Sequence, residues 1–379
     1  MNLPDPTADA LAHSARLANC LRAAIDASGG WIPFERYMSL ALFAPGLGYY
    51  AAGATKFGAQ GDFVTAPEMG TLFGRTLAVQ AGEVMRHSAP HLLEFGAGTG
   101  KLAAGLLAAL GDACTSYSIL EPSPELRERQ AATLREAAPA ALKKVRWLAA
   151  LPERFSGCIV ANEVLDAMPV HLVHFGQGAI AERGVALDAN RAFVFADRPA
   201  SGALLDAARA LPVAALDGYT TEINLAARAW VASIAALLVR GALLAIDYGF
   251  PAAEYYHPQR SRGTLMCHSR HRAHDDPFDL PGLTDITAHV DFSALAASAP
   301  GLAVLGYATQ ANFLINCGIT DLLAQTPATD TARYLPLTNQ ANRLLSPAEM
   351  GELFKVLALG RGVAAELSGF MRGDRRYNL

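Results

Sequence analysis

The chain has 379 residues, with 31 Lys and Arg against 35 Asp and Glu and a formal net charge of −4. That balance leaves no basic footprint for nucleic acid. Its cysteines, Cys20, Cys114, Cys158, Cys267 and Cys317, lie far apart with no C-x-x-C pair, which speaks for reduced thiols and against a disulfide framework or a zinc site.

The first 30 residues carry Asp5, Asp9, Arg16, Arg22 and Asp26 and read as an amphipathic helix, Ala8–Ala27, not as an export signal. A cytoplasmic protein is expected. A long glycine- and aromatic-rich loop follows, Tyr37 to Pro67, with Tyr49, Tyr50, Phe57 and Phe63. Loops of that length in a compact domain are lids, binding loops or disordered, and the aromatics argue against disorder. A helix is predicted from Met69 to Arg86. From His91 the pattern alternates: strand 91–96, helix 100–110, strand 116–120, helix 124–136, strand 145–148, strand 157–161. Alternation of this kind implies a parallel sheet with helices on both faces.

An antiparallel meander interrupts at Val170 to Arg198, where VHLVHF, GAIAERGVAL and AFVFA alternate as strands do. A helix at Ile223 to Val239 leads into ALLAID, Ala242 to Asp247, taken as the fifth core strand. The apolar run ending at Val239 begins at Trp230, too short to span a bilayer, so no membrane insertion is expected. Beyond it come a polar loop (251–288), a helix near Phe292 to Ala299 and a strand near Leu302 to Ala308. Helices at Asn312 to Ala324 and Asn339 to Leu345 and a strand near Leu353 to Ala358 complete the chain. The expected division is an N-terminal extension, 1–86, and an α/β Rossmann-like domain, 87–379. The domain has a seven-stranded, mostly parallel sheet, an antiparallel insertion at about 170–220 and a helical insertion at about 309–350.

The segment His91 to Leu107, HLLEFGAGTGKLAAGLL, is a strand, a glycine-rich turn and a helix start. Gly96, Gly98 and Gly100 allow a sharp turn and close approach of a ligand to free helix N–H groups. The spacing is G-x-G-x-G, whereas a dinucleotide fingerprint places its third glycine one residue later. With Glu94 ahead of the turn, it suits a cationic cofactor without phosphate, S-adenosyl-L-methionine; plain strand–helix packing is the alternative. Glu121 ends the second strand, placed to accept hydrogen bonds from ribose hydroxyls. It also adjoins the start of the next helix, for which Ser123 is the better cap.

Chemistry in such sheets sits at the carboxyl ends of the strands. After the fourth strand, Asn162, Glu163 and Asp166 fall where the transferable methyl would point. Asn162 suits cofactor or substrate, Glu163 suits a cationic acceptor, and Asp166 suits either the site or a turn cap. Glu222 begins the helix before the fifth strand and is either a second site carboxylate or a helix-dipole partner. His289 and Asp291 either face the substrate pocket or are solvated loop ends. Cys267, His268, His271, His274, Asp275 and Asp276 include metal-ligand types. Arg270 and Arg272 stand among them without a metal-binding helix pattern, so no metal is assigned and a polar substrate-lining loop is preferred.

Five blocks occur in order: GDFVTAPEMGTLFG (Gly61–Gly74), EFGAGTG (Glu94–Gly100), NEVLDAMPVH (Asn162–His171), DYG (Asp247–Gly249) and Gly263–Phe292. Together, over about Ser39 to Phe370, they resemble the MidA-type family of S-adenosylmethionine-dependent methyltransferases. That family includes the mitochondrial complex I assembly-factor arginine methyltransferases. The resemblance implies a class I methyltransferase fold and protein-arginine methylation, with a protein substrate such as a respiratory complex I subunit. It places Glu94, Gly96, Gly98, Gly100, Glu121 and Asn162 at the cofactor. Asp62 and Thr65 belong to the covering segment, Gly61–Glu68, and Glu163 and Asp166 lie at the methyl-transfer end with Glu222 as a further carboxylate. Here the turn is GAGTG where many members resemble GPGRG, which removes one charge contact. A small-molecule methyltransferase of the same fold, or a non-catalytic assembly platform, would share the glycine turn.

Overall fold

The computed structural model describes residues 6–51, 65–269, 272–363 and 366–379. Its central sheet is built from β1 (His91–Phe95), β2 (Ser116–Leu120), β3 (Val145–Leu148), β4 (Phe155–Asn162), β5 (Leu238–Phe250), β6 (Ala303–Thr309) and β7 (Phe354–Arg361). The order across the sheet is β6-β7-β5-β4-β1-β2-β3, with Val290–Asp291 added alongside β5. All core pairings are parallel except those of β7, which runs antiparallel to both β5 and β6. This is the expected seven-stranded, mostly parallel architecture.

Side chains two apart on a strand share a face, and the core divides accordingly. Leu92, Cys158, Val160, Leu244, Ile246, Val356 and Ala358 face one layer, packed against helices Thr71–Arg86, Lys101–Leu110 and Gln310–Asn316. Their neighbours Leu93, Ile159, Ala161, Leu243, Ala245, Leu357 and Leu359 face the other layer, against helices Leu225–Leu237 and Phe292–Ala297. Because both faces are covered, these strands read as continuous apolar runs.

The antiparallel insertion supplies four strands of a separate five-stranded sheet, and Trp31–Pro33, from the start of the chain, supplies the fifth. Trp31–Pro33, Ala179–Leu187, His171–Gly176 and Tyr219–Ile223 pair in that order, with Phe193–Pro199 on the far side of Ala179–Leu187. Helices Ala8–Ala27 and Phe34–Phe43 close one face of it through Leu17, Leu21, Ile25, Phe34, Tyr37 and Met38. Helix Gly202–Arg209 covers the other through Leu204 and Ala208.

Several expected boundaries move. The glycine-rich loop begins at Ala44, because helix Phe34–Phe43 occupies the first part of the expected loop. The helix predicted from Ile223 starts at Leu225, capped by Asn224, whose side-chain oxygen accepts from Ala227 N at 2.8 Å. Tyr219–Ile223 is drawn into the small sheet by its ladder with His171–Phe175, so Glu222 lies in a strand and not at a helix start. The polar loop 251–288 holds a short helix, Ala252–Tyr255, and a three-stranded sheet of Met266–Ser269, Arg272–His274 and Asp285–Thr287. Strands of three or four residues show too little alternation to be read. The helix expected at Asn312–Ala324 is divided at Gly318, where φ is +81°. The helix expected from Asn339 begins at Thr331, capped by Asp330, and carries Pro336 inside it. No described helix is long and apolar enough to cross a membrane. All five cysteines are free.

Where β4 and β5 begin to pair, Gly241 sits at φ +132°, and an added Cβ would stand 1.8 Å from the carbonyl oxygen of Gly157. Gly241→Ala combines backbone strain with overpacking and should cost about 3 kcal/mol, read as a lowered urea midpoint with an unchanged slope.

Candidate active site

A cavity of about 510 Å³ opens at the carboxyl ends of β1, β2 and β4. Its floor is the glycine turn. Gly96, Gly98 and Gly100 all have positive φ, at +64°, +50° and +88°. Gly98 faces open space, whereas a Cβ at Gly100 would lie 3.0 Å from Gln130 Cα. Gly98 therefore leaves room above the turn, and Gly100 lets helix Pro124–Ala137 approach it.

Glu94, at the end of β1, is 1% exposed. Its Oε2 accepts a hydrogen bond from the buried Tyr117 hydroxyl at 2.7 Å, while Oε1 has no hydrogen-bond partner among the described residues. Burial raises the carboxyl to about 7 against the pull of the Tyr117 bond. Such an oxygen suits an N–H cation. Glu121, at the end of β2, accepts from Ser123 N at 2.9 Å and from Gln130 Nε2 at 3.2 Å; burial raises it too. Gln130 is fully buried, donates also to the Gly98 carbonyl at 3.2 Å and accepts from Trp147 Nε1 at 2.8 Å. It ties the glycine turn to the acid. Ser123 caps the following helix through Leu126 N, as expected.

Over the turn, Glu68 pairs with Lys101 Nζ at 2.7 Å and accepts from the Thr99 hydroxyl. Thr65 and Pro67 line the same wall. Asp62 lies outside the described residues.

The opposite end is acidic. Glu163 follows β4 at φ +52°, left-handed for a residue other than glycine, a conformation that costs energy and marks sites where the surroundings impose it. Its Oε1 accepts from Asn162 Nδ2 at 3.1 Å and from Ala66 N at 3.3 Å. Burial, and then the charge of Asp166, raise it to about 8. Asp166 is raised by burial to about 6, opposed by the Tyr248 hydroxyl that donates to its Oδ2 at 2.7 Å. Asp166 Oδ1 and Asn162 Oδ1 are buried without hydrogen-bond partners among the described residues. Asp247, fully buried, accepts from Leu165 N at 2.9 Å, Asp166 N at 3.3 Å and Tyr248 N at 2.9 Å. Asp285 and Thr287 complete this end.

The structure thus brings Thr65, Glu94, Gly96, Gly98, Glu121, Asn162, Glu163 and Asp166 onto one cavity. Gly100 supports the turn from below. Three expected residues are not on its wall. Glu222 is neither a helix-dipole partner nor a cavity residue: its carboxylate accepts from Thr264 N at 2.8 Å, Leu265 N at 2.9 Å and the Tyr255 hydroxyl at 3.1 Å, clamping the chain after Gly263. Asp291 caps helix Phe292–Ala297 through Ala294 N at 3.0 Å and accepts from Tyr256 at 2.9 Å. His289 stands edge-on to Tyr248 and Phe250, each 5.2 Å away, and is held down near 4 by burial and by Arg260 and Lys355. It buttresses Tyr248 from behind. Cys267 and His274 face each other across a strand pair, His271 lies outside the described residues, and no metal-binding group of three occurs among the described ones. Tyr117, Gln130, Tyr248, Asp247 and Asp285 went unread as site residues. Asp247 and Tyr248 stand in the DYG block and Asp285 in the Gly263–Phe292 block, but nothing in local spacing assigns Tyr117 or Gln130 to the site.

The buried, unpartnered oxygens of Glu94 and Asn162 and the open space above Gly98 fit the amino-acid end and body of S-adenosylmethionine. Comparison with known proteins agrees. Residues 72–308 match the profile of an S-adenosyl-L-methionine-dependent methyltransferase family, Methyltransf_28. A Burkholderia thailandensis protein crystallised with S-adenosyl-homocysteine is 53% identical over 100% of both chains, with a TM-score of 0.95. Protein arginine methyltransferase NDUFAF7, mitochondrial, is 30% identical in Danio rerio, covering 87% of this chain and 83% of that protein. In Mus musculus it is 32% identical, covering 88% and 81%. The mitochondrial designation of these relatives overturns the expectation of a cytoplasmic protein. With a profile match over more than half of its length and a cavity built for the cofactor, the chain belongs to this methyltransferase family and is an S-adenosylmethionine-dependent enzyme.

Proposed function

We propose that the enzyme methylates a guanidino nitrogen of arginine in a protein substrate. The observation that carries this reading is the charge of the cavity's far end. Glu163, Asp166 and Asp285 line it, and among the described lining residues the one Lys or Arg, Lys101, stands by the glycine turn, paired with Glu68. An acceptor that is cationic and rich in N–H donors complements such a wall. The named activity of the NDUFAF7 relatives supports it, and a respiratory complex I subunit is the protein to test first, as the family resemblance implies.

Glu94 is assigned to the cofactor's ammonium, Glu121 to its ribose hydroxyls, and Gly96, Gly98 and Gly100 to the turn beneath it. Asn162 stands between cofactor and acceptor, and Thr65 belongs to the covering segment. When bound, S-adenosylmethionine supplies an electrophilic methyl group on a sulfonium. The acceptor's guanidinium, with a pKa above about 12, is a poor nucleophile until its charge is drawn away from the attacking nitrogen. Glu163 and Asp166 orient the fork by charge-assisted hydrogen bonds, and Glu163 accepts the proton that leaves that nitrogen. Tyr248 and Asp247 hold Asp166 in place. Positioning alone accounts for a large part of such a rate.

Three outcomes are expected. Glu121→Ala should weaken S-adenosyl-homocysteine binding by about 10- to 100-fold, and Gly98→Val should abolish it, both read by calorimetry. Glu94 is raised to about 7, so it is protonated below that pH and ionised above it. Affinity for cationic S-adenosylmethionine should therefore fall with pH below about 7, approaching ten-fold per unit, and Glu94→Gln should flatten that dependence. Glu163 and Asp166, raised to about 8 and about 6, must likewise lose protons to serve the acceptor, so kcat/KM should rise with pH through this range. Glu163→Gln should lower kcat about 10²- to 10⁴-fold with cofactor binding retained. Full turnover in Glu163→Gln, or wild-type methylation confined to non-arginine sites by mass spectrometry, would sink the reading.

A further inference from the structure

Helix Phe34–Phe43 buries Phe34, Tyr37, Met38, Ala41 and Leu42. Its last residue falls off that face: Phe43 is 45% exposed and stands on the cavity wall. Its ring is stacked on Tyr50, centroids 5.5 Å apart and planes at 20°, and Tyr50 is braced edge-on by Tyr49 at 5.0 Å. The Tyr50 hydroxyl donates to the Asp285 carboxylate, 3.0 Å from either oxygen. Asp285 lines the cavity with Asp166, whose Oδ1 is buried and without a hydrogen-bond partner among the described residues.

Aromatic face, phenol and carboxylate thus follow one another along one wall that ends at the acidic end of the cavity. A single exposed phenylalanine is ordinary on a protein surface. This one is held flat by a second ring that is itself fixed to a carboxylate. A planar, weakly hydrated cation stacks on an aromatic face and offers a fork of N–H donors to carboxylates, whereas an ammonium is a strongly hydrated point charge. We propose that Phe43, Tyr50 and Asp285 form the acceptor subsite, in which the ring pair receives the plane of the arginine guanidinium and Asp285 supplies its counter-charge. This rests on the arginine reading and adds the residues that select arginine over lysine.

The test uses the full-length enzyme with peptides carrying a single arginine, and the same peptides with lysine in its place. For the arginine peptide that the wild type methylates fastest, Phe43→Ala should raise KM about five-fold, the size of an exposed cation–π contact. The change should fall on KM more than on kcat. S-adenosyl-homocysteine affinity serves as the folding control. Phe43→Leu, which keeps bulk without a π face, should resemble Phe43→Ala, and Phe43→Tyr should restore the wild-type KM. An unchanged KM in Phe43→Ala, or its recovery in Phe43→Leu, overturns the subsite while arginine methylation stands. Wild-type methylation of lysine peptides alone, with KM raised by Phe43→Ala, overturns the arginine reading and the preference for arginine but leaves a cation subsite. Methylation of no peptide overturns both.

Discussion

Asp247 is a carboxylate shut away from water at the end of the fifth strand, and the acidic end of the cavity hangs on it. A buried carboxylate is costly unless its oxygens are occupied, and here they take the N–H groups of Leu165, Asp166 and Tyr248. Those bonds pin the turn after the fourth strand. They fix Asp166 where Tyr248 reaches it, and they close the turn that Glu163 enters at φ +52°. One side chain off the cavity wall thus sets the aim of two that line it. Burial, and then the neighbouring acids, hold Asp247 well above the usual carboxylate range, so the arrangement is a group of acids that resist ionising together, held in place by backbone donors and a phenol. A cation placed among them relieves the repulsion.

The cofactor end works by a different device. Gln130 uses both ends of its amide, donating to the Gly98 carbonyl and to Glu121 and accepting from Trp147. The turn, the second strand's acid and the third strand are tied through one buried residue. The glycines at positive φ permit the turn, and Gln130 ties it to its neighbours as a single structure.

The sheet was legible because strands buried on both faces leave continuous apolar runs, and its helices because their caps and periodicity are local. The glycine turn, Glu94 and Glu121 were legible for the same reason, each standing at the end of a strand. What escaped reading was placed by long-range pairing. Glu222 looks like a helix start until Tyr219–Ile223 is seen to pair with His171–Phe175, which turns its carboxylate toward Thr264 and Leu265. Asp291 and His289 share a polar stretch with Asp285, yet only Asp285 reaches the cavity, because strand Asp285–Thr287 pairs with Met266–Ser269. Tyr117 alternates like any apolar strand residue, and its hydroxyl bond to Glu94 crosses between two strands.

Different stretches of the cavity wall hang from different cores. The glycine turn and Glu94 adjoin the layers that cover the central sheet, whereas Phe43 and Tyr50 belong to the helices and loop packed with Leu172, Val185 and Ile286 around the small sheet. Changes within that second core can tilt or reshape the Phe43–Tyr50 wall while the glycine turn keeps its own packing. The aromatic stretch of the wall can therefore vary with a core of its own, while the glycine turn, Glu163 and Asp166 stay with the central sheet.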